Sequence, residues 1–265
     1  MASIKRIFFT YLIKKLLKIK IVEKIFHEIL KSVEGAKFLK VNKPSIGFHG
    51  DQYLLNLVNF LLLDSEYFIE TGTRRGVTLK YVADGYKNLK LFSCEPNKEF
   101  FAIAEAKLKG YNNCKIFNEK SQNFIPKILD TYDLNENLSF FFLDAHGKGF
   151  EWPLRQEIEQ ITHRLRKAII LIDDFKVPNN PQFIYDTYDD QECKMSFIKD
   201  KLFTKRNYEL IYPKYKIKTS NYPHLAGYIV ILMGLNLEEI NIPNQLFENY
   251  NIIKLKKEAL KWTNF

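Results

Sequence analysis

The sequence predicts an α/β fold, a doubly wound and mostly parallel sheet covered by helices on both faces. Three observations lead there. Short, nearly uniformly apolar runs alternate with stretches of helical periodicity, the pattern of strands buried on both sides. A Gly-rich turn follows the first run, and the runs end on acids: Glu70, Glu95, Asp144 and the pair Asp173-Asp174.

In chain order, residues 4–33 show helical spacing, with Val22, Ile25, Phe26, Ile29, Leu30 and Val33 on one face. The first half of that helix sets Phe8, Phe9, Tyr11, Leu12 and Ile13 among Lys5, Arg6, Lys14 and Lys15. This composition suits peripheral contact with an anionic membrane through residues 1–33, and equally suits packing on the main domain or on a second subunit. Residues 35–50 read as a connector with Pro44 and two glycines. Asp51 reads as the N-cap of a helix through Leu54, Leu57, Val58 and Leu61.

Five strand–helix units are expected next, with strands at 67–70, 89–95, 114–118, 138–144 and 168–173. Their helices are placed at 76–86, at 97–108, from Ser121, and after Trp152-Pro153. Residues 175–190 form a Pro/Asn-rich loop, a helix is expected near 195–203, and strands at 208–212 and 228–233 complete the sheet. The tail adds a helix around 252–260. The domain organisation is therefore 1–50 as helix and connector, 51–234 as the α/β domain, and 235–265 as an extension.

Composition narrows the class. The 265 residues are 46% hydrophobic and 27% charged, an ordinary globular balance. A net charge of +9 favours an acidic partner, whether nucleic acid, an anionic membrane surface or an anionic substrate. Cys94, Cys114 and Cys193 show no metal or disulfide spacing, which fits a reducing cytoplasm. Lysines interrupt every apolar run short of the roughly 18–20 residues that a spanning helix requires. The expected location is cytoplasmic or peripheral to the inner face of a membrane.

The chemistry lies at the strand ends, where open parallel sheets bind ligands. Gly-x-Gly-x-x-Gly is not matched, which disfavours nicotinamide or flavin. A carboxylate at Glu95, about two dozen residues past Glu70, can accept both hydroxyls of a ribose. Ser121 and Gln122 begin the segment where such a fold contacts an adenine. Asp144, Asp173 and Asp174 come from neighbouring strand ends and repel one another unless a cation offsets them; oxygen ligation favours Mg²⁺. His146, with an ordinary pKa of about 6.5, is placed to accept a proton.

The spacing Glu70-x-Gly72-x-x-x-Gly76 resembles the first motif of class I S-adenosylmethionine-dependent methyltransferases. Glu70-Thr71-Gly72-Thr73, Glu95, Leu143-Asp144-Ala145-His146, Trp152-Pro153-Leu154-Arg155 and Ile172-Asp173-Asp174-Phe175 together resemble the metal-dependent O-methyltransferases of sugars and natural products, including macrocin-type and rhamnosyl enzymes. The resemblance spans residues 67–175. It implies a Rossmann-like, seven-stranded sheet. It also implies S-adenosylmethionine bound by Glu70, Gly72, Thr73, Gly76, Thr78, Glu95, Ser121, Gln122 and Asp144, and Mg²⁺ on Asp144, Asp173 and Asp174. Catalysis would fall to His146 with Asp144, and Lys148 takes the base role if catechol-type relatives are the better guide.

The acceptor implied is a hydroxyl of a small molecule or glycan, and a homo-oligomer is expected. An RNA or DNA methyltransferase is the first alternative, supported by the charge. It is disfavoured because Asp144-Ala145-His146-Gly147 replaces the Asn/Asp-Pro-Pro-Tyr/Phe of base amino-group enzymes and no nucleic-acid module is recognisable. A non-catalytic, membrane-associated protein is the second.

Overall fold

In the computed structural model, residues 47–145, 152–216, 225–240 and 244–256 are described. The expected N-terminal helix, His146 and Lys148 lie outside them.

A short 3-10 turn, Phe48–Gly50, leads into α1, Gln52–Leu63. The Asp51 carboxylate accepts from the N–H groups of Tyr53 and Leu54 at 2.9 and 3.2 Å, a cap worth about 1 kcal/mol. Then follow β1, Tyr67–Thr71; α2, Val77–Gly85; β2, Lys90–Cys94; α3, Lys98–Leu108; and β3, Cys114–Phe117. The chain continues through α4, Ser121–Thr131; β4, Ser139–Leu143; α5, Leu154–Arg164; and β5, Ala168–Asp173. After a loop with small two-residue ladders come α6, Met195–Ile198; β6, Tyr208–Pro213; β7, Tyr228–Met233; and β8, Tyr250–Leu255.

One eight-stranded sheet holds them in the order β8-β6-β7-β5-β4-β1-β2-β3. β1 to β5 pair in parallel, whereas β7 runs antiparallel to both β5 and β6. Every residue of β1, β4 and β5 is buried, so the sheet centre is covered on both faces. Phe140, Phe141 and Phe142 are each essentially inaccessible, and burying each stabilises the fold by roughly 1.5–3 kcal/mol. Phe68 stacks on Phe140 across the β1–β4 pair, and Phe48 packs edge-on against Phe142.

Two departures from the sequence reading concern the ends. The helix expected around 252–260 is, over 250–255, the strand β8, paired antiparallel with β6 from Tyr250↔Pro213 to Leu255↔Tyr208. The sheet accordingly has eight strands and not seven. β-branched Ile252 and Ile253 suit a half-covered edge position, and the open edge of β6 supplies the backbone partners that decide the matter. Residues 47–50, expected as connector, belong to the core cover, since Phe48 is 1% exposed.

Candidate active site

The strand order reverses between β1 and β4, and a cleft of about 710 Å³ opens at the carboxyl ends there. Gly72, Glu95, Ser121, Gln122, Asp144 and Asp174 all line it. Parallel strands deliver their ends to the same rim, which is why residues so distant in sequence meet.

The floor of the cleft is a close crossing of backbones. Gly72 has φ +85°, and a Cβ there would sit 2.4 Å from the carbonyl oxygen of Asp144. Hydrogen bonds fix this crossing: Asp144 N donates to Thr71 O at 3.1 Å, and the N–H groups of Gly72 and Thr73 both donate to Cys94 O, at 3.1 and 3.0 Å.

Glu95 is 6% exposed and tied at both oxygens: Arg74 N donates to Oε2 at 2.7 Å and Asn97 N to Oε1 at 2.9 Å. Each oxygen keeps lone-pair capacity for a hydroxyl on the cleft side. Arg74 itself lines the cleft with a positive φ of 49°, a role the sequence did not suggest. At the opposite wall α4 starts without a side-chain cap, and the buried hydroxyl of Ser121 has no hydrogen-bond partner among the described residues.

The remaining motif residues support the turn from behind. Thr73 is buried, donating to Cys94 O at 3.1 Å and bonded to the Ser93 hydroxyl. Gly76, with φ +68°, faces α3, where a Cβ added to it would lie 3.2 Å from Ala104 and Leu108, and it does not line the cleft. Thr78 likewise turns to the other side, where its hydroxyl accepts from Phe48 N at 3.4 Å. A reverse turn, closed by Gly76 N donating to Thr73 O at 2.8 Å, separates Gly72 from α2, so the linear motif does not remain on one face.

Glu70 lies buried beneath the turn, accepting from Ser93 Oγ at 2.6 Å. Burial, with a smaller contribution from Glu95, pushes its carboxyl up from 4.5 to about 8. Between pH 4.5 and 8 the folded protein therefore holds a proton that the unfolded chain has released, so stability falls as pH rises through this window. The slope is at most about 1.4 kcal/mol per pH unit. Glu70→Gln, neutral throughout, is expected to gain on the wild type between pH 5 and 8 in urea melts; a constant difference across that range would contradict the assignment.

The acids at the ends of β4 and β5 meet a residue from far upstream. His49 Nε2 lies 2.6 Å from Asp173 Oδ2, although 124 positions separate the two. Asp173 is 2% exposed and its Oδ1 has no hydrogen-bond partner among the described residues. The charge of Asp173, then its hydrogen bond, raise His49 from 6.5 to about 10. Burial first, and the charge of Asp173 second, hold the Asp144 carboxyl well above the usual range. Ligand atoms of His49, Asp173 and Asp174 lie within 4.8 Å of one another.

The surroundings of the pair make its two halves unequal. His49→Ala strands the buried Asp173 carboxylate beside Asp144 and Asp174, a loss expected at about 2–3 kcal/mol, below the usual range for a buried pair because the imidazole is half exposed. Asp173→Asn removes one of the clustered charges and should cost less than half as much. Urea midpoints at pH 7 in a chelator compare the two, and equal losses would rule out repulsion among the acids.

Comparison of the sequence with protein-family profiles and with curated proteins gives no match. Among solved structures, the chain is similar to an rRNA methylase from Streptococcus thermophilus (13% identity over 69% of this chain and 96% of that one, TM-score 0.44). It is also similar to a SAM-dependent methyltransferase from Aquifex aeolicus (14% identity, 78% and 98%, TM-score 0.44). A third is a precorrin-6y C5,15-methyltransferase from Geobacter metallireducens GS-15 (16% identity, 72% and 99%, TM-score 0.44). Likenesses at this level say nothing of what this chain binds or methylates, and its function has to be read from the cleft itself.

Proposed function

We propose that the chain is an S-adenosylmethionine-dependent O-methyltransferase acting on a hydroxyl of a sugar, glycan or other small molecule, assisted by a divalent cation. The observation that carries the reading is a cleft at the strand-order reversal that Gly72, Glu95, Ser121 and Asp144 all line. Its volume suits a nucleoside ligand together with part of an acceptor.

The chain's own groups have distinct tasks in this reading. Gly72 keeps the floor free of a side chain, Glu95 accepts the ribose hydroxyls, and the Ser121 hydroxyl, unpartnered among the described residues, contacts the base together with Gln122. Glu70, beneath the floor, accepts from Ser93 Oγ and so braces the turn that carries Gly72. His49, Asp173 and Asp174 bring one donor atom each to within 4.8 Å of one another, and Asp144 lines the same cleft, a set able to hold a dication. When bound, such a cation supplies Lewis acidity that makes an acceptor hydroxyl easier to deprotonate. The proton needs an acceptor; on the sequence His146 is the proposed base, and Asp144, which lines the cleft, is a second.

The test is calorimetric titration of the purified chain with S-adenosylmethionine. Micromolar affinity is expected, and no heat up to about 1 mM ligand would sink the reading.

A further inference from the structure

The metal-binding donor set can be specified further. We infer that the site at the end of β5 takes a first-row transition-metal dication, Mn²⁺ or Fe²⁺, through one imidazole nitrogen from His49 and one oxygen each from Asp173 and Asp174, in preference to Mg²⁺ on three acids. The inference deepens, and rests on, the reading of this cleft as a metal-assisted methylation site.

Geometry selects these three. Among the described residues, the trio bringing one donor atom each to within 4.8 Å of the others is His49, Asp173 and Asp174; Asp144 stands outside it. His49 Nε2 lies 2.6 Å from Asp173 Oδ2, so the imidazole and the Asp173 carboxylate already meet, with Oδ1 left over as a donor. Asp173 contributes the independent sign of a missing ligand: it is 2% exposed, and its second oxygen is buried with no hydrogen-bond partner among the described residues. A buried carboxylate oxygen left without a partner costs about 1–3 kcal/mol, more for a charged group, and an added cation offsets that cost. Both His49 and Asp174 hold left-handed backbone conformations, φ 55° and 47°, which is unusual for residues other than glycine.

Donor chemistry then selects the ion. Mg²⁺ demands a near-ideal octahedron of oxygens and keeps several waters, whereas an imidazole nitrogen is a softer donor suited to first-row transition metals. One nitrogen and two carboxylate oxygens leave coordination positions for the hydroxyls of an acceptor. That arrangement is a single-histidine counterpart of open non-haem sites.

Mn²⁺ alone is the probe. It is added to the full chain after chelator treatment; the free aquo-ion EPR signal reports binding, and pulsed EPR reports ¹⁴N coupling. The expected result is one tightly held Mn²⁺ per chain with ¹⁴N modulation in the wild type, absent in His49→Ala. His49→Ala and Asp174→Asn should each weaken Mn²⁺ binding by roughly tenfold or more, and roughly a hundredfold excess of Mg²⁺ should leave most Mn²⁺ in place. Bound Mn²⁺ without ¹⁴N coupling, or ready displacement by equimolar Mg²⁺, overturns the proposal in favour of an all-oxygen site. Absence of Mn²⁺ binding overturns it in favour of a plain His49–Asp173 ion pair. The wild-type spectrum decides on its own if a variant fails to fold. Titrating the metal-free sample with S-adenosylmethionine separates the two readings: cofactor binding without Mn²⁺ binding removes the donor set alone, and loss of both removes the methyltransferase reading too.

Discussion

Glu95→Ala is expected to weaken S-adenosylmethionine binding by about 10²–10⁴-fold, because two hydrogen bonds to a charged carboxylate are worth roughly 1.5–3 kcal/mol each. The effect is large because the carboxylate is preorganised. Arg74 N and Asn97 N hold its two oxygens at 2.7 and 2.9 Å, so no side-chain ordering remains to be done on binding. The same contacts imply a structural penalty, and calorimetry has to be accompanied by a urea melt. Lys120→Ala, at the same cleft but without those contacts, is the companion: a loss of affinity there equal to that of Glu95→Ala would point to bulk electrostatics rather than ribose recognition.

Gly72→Ala is expected to cost about 4 kcal/mol of stability, from backbone strain and from a direct clash. A Cβ at residue 72 would lie 2.4 Å from Asp144 O, an atom of the main chain held in place by the bond from Asp144 N to Thr71 O. It cannot yield without parting β1 from β4. Gly50→Ala is a matched control, since Gly50 also has positive φ, at 70°, but its Cβ would meet nothing within 4 Å. It should lose only about 1 kcal/mol. Similar urea midpoints for the two variants would show that the crossing is not a tight one.

The central strands were legible because burial on both faces leaves no room for polar alternation. Phe140 to Leu143 and Ile169 to Ile172 read as strands on composition alone, and the acids that follow them read as the working rim. Edge elements carry no such mark. β8 is only partly buried, and its residues take their conformation from the vacant edge of β6, a partner some forty positions upstream that local periodicity does not register. The cleft was legible for the same reason as the strands: Glu95, Ser121 and Asp144 each follow a parallel strand and so must emerge together. His49 was not, since it lies ahead of the first helix in a stretch with every mark of a connector, and its link to Asp173 spans most of the sheet. A lone histidine flanked by glycine and phenylalanine is the only local sign.

β7 lies between β5 and β6, although it follows both in the chain. On a ribosome, the inner edge of β5 is complete at Asp173 but has no neighbour until Met233 has emerged. At about 5–20 residues per second that edge stays unpaired for roughly 3–12 s. β6, synthesised in the meantime, must be kept from taking the place of β7. The order of synthesis therefore imposes a waiting step on the assembly of this sheet.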